Sequence, residues 1–380
     1  MSRLFKVYKI FLLILFVISM YPWFTWGLNL QYFSLIGAIY TLFLLSNGTI
    51  LSYRKEYTPV VVLFLFHFLW IGKYNNIFGQ LENILNWIIL IGILSLKEEY
   101  KTEVIPFITK WFAILLGISL IVYVAAVVGV PLPSSSITRG TYIHTFTNYY
   151  LCIKIDGMMR FQSVFLEPGH MTMGLAPLLF LNKYDYKNKY VVILLLAQLF
   201  SFSLAGYIIM VIGYIYTVLF SSGERKISRI IFPIVVFAGF MGASTTIFEE
   251  DLFNDLIMAR LEWSGDSISG YNRSSAYLDF QYEKVLHSPV KWFGEEWDSE
   301  MSEKGVAGYK LFFVMYGIIG VLAVILSYIT TTYRKNSNTM LSWGFLLVLF
   351  LLLYQDAYPT WWCVLIALVY SNNVLQNQNT

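Results

Sequence analysis

Long apolar runs, each about as long as a bilayer is thick, follow one another along nearly the whole chain. A membrane-spanning helix needs about 20 apolar residues, with a usual range of about 17–25. Runs of this kind fall near 10–26, 30–47, 59–73, 82–96, 111–130, 165–182, 190–203, 204–220, 230–247, 310–330, 341–354 and 358–372. They do not alternate apolar with polar residues as barrel strands do, which selects helices. The pattern predicts an all-α fold: a polytopic transmembrane helical bundle of about twelve spans, forming one integral membrane domain over residues 1–380.

The run Tyr190–Phe220 is the ambiguous one. As a single helix it would reach roughly 46 Å, too long for a hydrocarbon core of about 30 Å without a strong tilt. Lys183, Lys187 and Lys189 precede it, and Arg225, Lys226 and Arg229 follow it. Short basic flanks stay in the cytoplasm, so the chain is expected to turn back near Ser201–Gly206. With that turn, the segments assigned to the cytoplasmic side hold 16 of the 26 basic residues. Both termini then lie in the cytoplasm, and the basic stretch Met1–Lys9 leads into a retained first span.

Two external loops are long enough to carry chemistry, about 131–166 and about 248–309. The second holds 13 of the 23 acidic residues against five basic ones, Arg260 and Arg273 among them, and carries Trp263, Tyr277 and other aromatics. Aromatic rings offer flat apolar faces with polar tips, which suits sugar rings; an interfacial aromatic belt over a solvated acidic loop is the plainer alternative. Ser274–His287 reads as a helix capped by Asn272 or Ser274 and followed by Pro289. Arg273 then stands at a helix N-terminus, where backbone N–H groups and the dipole favour an anion and a guanidinium fork matches phosphate. A pair with Asp266 or Asp279 is the alternative.

Composition agrees with this picture. Hydrophobic residues make up 57% of the chain and charged residues 13%, against about 25% charge in a soluble protein. Neither Cys152 and Cys363 nor the four histidines form a metal or redox spacing, so no cofactor or metal is expected.

The most informative stretch is Arg160-Phe-Gln-Ser-Val-Phe-Leu-Glu167-Pro-Gly-His170. It resembles the R-F-x-G-x-F-x-E-P-G segment of O-antigen and capsular polysaccharide polymerases of the Wzy type. Other elements fall in that family's order: Ser203-Leu-Ala-Gly206, Arg260, Ser269-Gly-Tyr-Asn-Arg273, His287-Ser-Pro289 with Phe293-Gly294, and Gly317-Ile-Ile-Gly320. The resemblance covers roughly residues 160–320. It departs at Ser163, where the family usually has glycine, and an altered turn is expected there.

The resemblance implies a reaction at the outer face of the bacterial cytoplasmic membrane: a growing glycan leaves its undecaprenyl diphosphate carrier for a hydroxyl on the next lipid-linked repeat unit. The partners would be that undecaprenyl-diphosphate-linked glycan, as donor and acceptor, and membrane lipid, with a chain-length regulator as a further candidate and no nucleic acid. Without a metal, cationic side chains must stabilise the departing diphosphate, and Arg160, Arg260 and Arg273 are the candidates. Glu167, at the N-terminal mouth of a span before Pro168, would orient the acceptor hydroxyl or take its proton; the alternative is a capping carboxylate paired with Arg160. His170 follows one turn later, as a proton shuttle or as packing. With Arg260, Trp263 and Tyr277 it completes the expected substrate contacts, while Glu167, Arg160 and Arg273 are the expected catalytic set. Two rival activities remain open: an O-antigen ligase, and a flippase or transporter for lipid-linked sugars. The second would need polar residues along the middle of several spans, and the spans here are almost uncharged, with the charge massed outside them.

Overall fold

The computed structural model describes residues 3–139, 145–156, 160–220, 263–264, 267–268, 274–296, 307–333, 339–356 and 358–376. The described residues are mostly helical. The helices are α1 (Arg3–Ile18), α2 (Gln31–Asn47), α3 (Thr58–Ile71), α4 (Ile77–Leu94), the single turn α5 (Glu98–Lys101), α6 (Val104–Val127), α7 (Pro168–Leu181), α8 (Lys189–Phe200), α9 (Leu204–Phe220), α10 (Ala276–Leu286), α11 (Gly308–Thr332), α12 (Thr339–Gln355) and α13 (Trp362–Gln376). The expected span at 230–247 lies outside the described residues.

Local chemistry sets the helix ends. Asn76, Asn188 and Ser275 cap α4, α8 and α10 by accepting from Gly79 N, Tyr190 N and Leu278 N. Pro168 opens α7, where its missing N–H costs nothing. Gly48 closes α2 in the left-handed conformation.

Two helices form the centre. Every residue of α7 except Gly169 is buried, and in α13 the run Cys363–Tyr370 is fully buried. A helix apolar all round belongs inside a larger assembly. The outer helices α2, α4 and α6 instead expose Ile36, Ile39, Phe43, Ile84, Ile118 and Ile121, more apolar surface than water tolerates. Ile77–Leu94, the continuous run Glu98–Val127, and Gly308–Thr332 are long and apolar enough to cross a membrane. The last is bent at Gly317, whose φ of 63° and ψ of −170° are not helical.

The run Tyr190–Phe220 is broken as its flanking charges require. Helix α8 ends at Phe200, α9 starts at Leu204, and Phe202 has φ 46°. The chain then turns back: Tyr184, which precedes α8, packs edge-on against Tyr214 in the second half of α9.

Two sequence expectations change. The first of the two expected external loops contains a three-stranded antiparallel ribbon of β1 (Ser135–Thr138), β2 (Thr145–Asn148) and β3 (Ile153–Ile155), and β4 (Trp263–Ser264) pairs with β5 (Ser267–Ile268), so the fold is not purely α. The loop helix begins two residues later than expected, with Ser275 rather than Asn272 or Ser274 as its cap. Ser163 stands in its turn within the backbone region that glycine favours, left-handed at φ 56°, and donates to Ser119 Oγ at 2.8 Å.

The bundle has two distinct ends. One joins the start of α1, the α2–α3 loop and the α4–α6 connection: Lys9 pairs with Glu103 at 2.9 Å, Leu51 bridges Leu96, and Phe5 packs on Tyr100. Lys6, Arg54, Lys97 and Lys101 lie in these segments. The other end joins the α1–α2 loop, the β1–β3 ribbon, the mouth of α7, the α8–α9 break and the α12–α13 turn.

Candidate functional site

The segment Arg160–Glu167 is an irregular strap threaded into the second end. Phe161 N donates to Phe200 O at 3.0 Å, Ile153 N to Ser163 O at 2.7 Å, and Trp23 N to Val164 O at 2.8 Å. Phe161 through Leu166 are all buried. Arg160 stands half-buried at the start of this strap, and its Nε donates to Ser201 O at 3.4 Å in the α8–α9 break. Behind it lies a buried polar network: Thr172 Oγ1 meets Gln198 Oε1 at 3.2 Å, Gln198 Nε2 donates to Ser201 Oγ at 3.1 Å, and Ser203 N donates to the same hydroxyl at 3.2 Å. Satisfied networks of this kind fix one arrangement. The Arg160–His170 and Ser203–Gly206 segments, separate in sequence, are thus one structural unit.

Glu167 occupies the N-cap position of α7 with extended backbone, but its side chain does not cap the helix. The N-terminus of α7 is thus not capped by this carboxylate. The α12–α13 turn closes over the same point: a methyl group built on Gly169 would stand 3.3 Å from Asp356 Oδ2. Asp356, Tyr21, Glu167 and Arg139 all act electrostatically on the Tyr358 hydroxyl. Arg139 lies over the Tyr21 ring at 5.2 Å and also acts on His170. Two carboxylates and one guanidinium from three distant segments thus gather at the mouth of α7.

His170 is buried edge-on against Trp361 (centroids 4.9 Å) and Tyr358 (6.1 Å), with Tyr21 at 6.1 Å. Its Nδ1 has no hydrogen-bond partner among the described residues. Enclosure by three rings suits packing and orientation better than a proton relay.

The loop helix α10 lies against α11 through a small core of Leu278, Val285, Leu311 and Val314, with Tyr277 half-buried beside it. Lys310 pairs with Asp279 at 2.7 Å, and Ser274 Oγ donates to the same carboxylate. Burial alone would raise the Asp279 pKa, but these hydrogen bonds and the Lys310 charge outweigh it and hold the carboxyl below its usual range. Asp279 therefore already has a cationic partner other than Arg273. Tyr354 stacks on Tyr309 at 4.5 Å and 4°, and Tyr309 packs edge-on to Tyr282. The backbone of Gly308 presses on that of Gln355–Asp356: a methyl group there would stand 2.8 Å from Asp356 N. The α12–α13 turn consequently touches both the mouth of α7 and the start of α11.

A second polar junction fixes the bend in α11. Glu295 N donates to Val314 O at 2.7 Å, Tyr74 hydroxyl to Gly294 O at 2.7 Å, and Trp70 Nε1 to Tyr316 O at 2.9 Å. Lys73 donates to Met315 O at 2.8 Å and to Phe293 O. Gly294 (φ 76°) and Gly317 (φ 63°) meet there backbone to backbone, which only glycine permits.

Of the expected site residues, Arg160, Glu167 and His170 come together at one end, and Tyr277 lies on α10. Arg260 and Arg273 lie outside the described residues, and Trp263 is described only as part of β4. Sequence reasoning missed Arg139 and Tyr21. No periodic pattern marks either; an arginine on an otherwise cation-poor external segment was the one available hint. Among the described residues no group of three or more His, Cys, Asp or Glu side chains could hold a metal, and Cys152 and Cys363 are buried and unbridged. No known protein family, curated protein or solved structure matches the chain.

Proposed function

We propose that this chain is a membrane glycosyltransferase that polymerises lipid-linked oligosaccharide repeat units, as the Arg160–His170 resemblance implies. The observation that carries the reading is the gathering of Glu167, Asp356 and Arg139 around the Tyr358 hydroxyl, with Asp356 against the first turn of α7. In the proposed reaction the acceptor hydroxyl is oriented by Glu167 or Asp356, which receives its proton. The acceptor oxygen forms a bond to the anomeric carbon as the bond from that carbon to the diphosphate oxygen breaks. Arg139 and Arg160 would stabilise the departing diphosphate, with Arg260 and Arg273 in the same role. Within this reading Glu167 serves to orient the acceptor hydroxyl.

We further read the chain as a twelve-span bundle of the bacterial cytoplasmic membrane with both termini in the cytoplasm. The support is the gathering of Lys6, Lys9, Arg54, Lys97 and Lys101 at one end, which the positive-inside rule assigns to the cytoplasm. The carboxylate end then faces outward, where lipid-linked repeats are joined.

The test is the glycan length profile, by gel, of cells lacking the protein and complemented with wild type, Glu167→Gln or Arg273→Ala at equal membrane level. Single repeat units in the deletion strain, and a ladder restored by wild type alone, support the reading. Long carrier-linked chains that never reach their final acceptor identify a ligase and overturn it.

A further inference from the structure

Beside the carboxylates at the mouth of α7 lies an aromatic ledge that is open on one side. Tyr358 stacks on Trp361 at 4.5 Å and 10°. Trp361 behind it is buried, whereas Tyr358 remains 39% exposed. His170 stands edge-on to both rings, and Tyr21 packs on Trp361 at 5.5 Å. This backing fixes the plane of Tyr358, so the part left open is a flat apolar surface held in one orientation.

Polar groups border the ledge. Tyr358 N donates to Asp356 O at 2.8 Å, which ties the ring to the carboxylate two residues before it. A methyl group built on Gly169 would stand 3.3 Å from Asp356 Oδ2 and 3.0 Å from Gln355 Nε2, and His170, the next residue, meets the Tyr358 ring. Carboxylate, amide and ring thus share the first turn of α7. The Arg139 guanidinium lies over Tyr21, which itself packs on Trp361. Gln355 is buried, and its Oε1 has no hydrogen-bond partner among the described residues. A buried acceptor without a donor is costly, and a ligand hydroxyl would supply one.

We propose that the open face of Tyr358 is a sugar platform, on which the terminal ring of the acceptor glycan stacks with one hydroxyl donating to Gln355 Oε1 and another directed at Asp356. The mixture of groups selects the ligand class. A sugar ring carries C–H groups on its face and hydroxyls at its edge, and a flat aromatic face bordered by an amide and a carboxylate matches both. Lipid hydrocarbon would cover the ring and leave Gln355 and Asp356 unmatched. A simple anion would gain nothing from the ring and be repelled by Glu167 and Asp356. That the sugar belongs to the acceptor rests on the polymerase reading; that the platform takes a sugar does not.

The experiment is saturation-transfer-difference NMR on the full-length protein in a sugar-free detergent, titrated with the glycan that mild acid releases from the carrier-linked lipid of the deletion strain. This probe has neither diphosphate nor lipid, so it reports glycan contacts alone. Irradiating the aromatic protons of wild type is expected to saturate the C–H protons of one terminal sugar. Tyr358→Phe, which keeps the ring, should bind as wild type does. Tyr358→Leu should weaken binding about ten-fold and Gln355→Leu about five-fold, at unchanged melting temperature. Tyr32→Leu removes another exposed ring, at the start of α2, and should change nothing. Absence of transfer from wild type overturns the proposal, as does undiminished binding by a folded Tyr358→Leu or an equal loss in Tyr32→Leu. Binding that depends on Tyr358 in a protein whose deletion gives the ligase profile keeps the platform and removes the polymerase reading; a ladder restored by wild type without any glycan transfer does the reverse.

Discussion

Replacing Gly317 with alanine tests whether the bend in α11 is fixed by backbone contact. Gly317 has φ 63° and ψ −170°, a region that is essentially glycine-only and costs other residues about 1–3 kcal/mol. The added methyl would also meet Gly294 N, Lys291 O and Trp292 C, each at 2.7 Å. These are backbone atoms of an ordered turn and cannot swing away; overpacking of this sort costs about 1–3 kcal/mol. The expected loss is therefore about 2–6 kcal/mol, enough to consume much of a typical stability of about 5–15 kcal/mol. Gly294→Ala should behave alike, because φ is 76° and the new methyl meets the Met315 carbonyl. The two losses should not add. Once one methyl has forced the turn away from α11, the second enters space already opened, so the double variant should fall short of the sum by an amount a double-mutant cycle resolves. The assay is the apparent melting temperature of detergent-solubilised protein. Gly317→Ala melting where wild type melts, or strictly additive losses in the cycle, would refute the reasoning.

Three further outcomes follow from the same geometry. Ser163→Gly should leave stability within about 1 kcal/mol of wild type, since relief of the left-handed φ offsets the lost bond to Ser119; Ser163→Ala, which keeps the strain and loses the bond, should melt clearly lower, and equal melting of the two variants contradicts this. Burial in its junction lowers the Lys73 pKa from 10.5 to about 8, so between about pH 8 and 10.5 the unfolded chain binds the proton more tightly than the folded one; wild type should gain melting temperature relative to Lys73→Met as pH rises through that window, and parallel pH profiles count against it. Glu167→Gln and Asp356→Asn should each abolish the glycan ladder at unchanged membrane level, whereas Tyr354→Phe, which keeps the ring stacked on Tyr309, should retain it; a normal ladder from both carboxylate variants removes the site.

The elements legible in the sequence were those set by local rules. Apolar run length located the helices, and the basic residues flanking Tyr190–Phe220 located the break within Ser201–Gly206, because a basic flank on each side demands a return of the chain. The loop helix was legible to within two residues at its start, since Ser274 and Ser275 are equally good caps on paper and the fold uses Ser274 to hold Asp279 instead. The β1–β3 ribbon was not legible. Its strands are three or four residues long, rich in serine, threonine and asparagine, and are held by Phe146 and Ile153 packing in one cluster with Leu166 beside Trp26, a contact no local pattern announces. Arg139 was invisible for the same reason: it reaches the site because the ribbon folds back over Tyr21. Ser163 shows the reverse case, a residue whose type suggests an altered turn while its backbone stands in the region that glycine favours.

The candidate site is built on a turn, and its neighbours explain how a turn can hold a carboxylate in place. Asp356 sits between α12 and α13, a position that would ordinarily be mobile. Here one side of the turn meets the backbone of Gly308, and the other meets the first turn of α7 at Gly169. Tyr354 stacks on Tyr309 just before the turn, and just after it Tyr358 stacks on Trp361 at 4.5 Å and 10°. Tyr328, in the body of α11, donates to Pro359 O at 2.7 Å from a fully buried position. Five contacts over six residues leave the turn little freedom, so the separation of Asp356 from Glu167 is set by the packing of α7, α11 and α13 rather than by the loop itself. Two of those helices are buried on all sides, and the third is pinned at its bend by Gly294, Lys73 and Trp70. A rigid pair of carboxylates is what positioning an acceptor hydroxyl requires, and it places the mobility needed for substrate entry outside this pair.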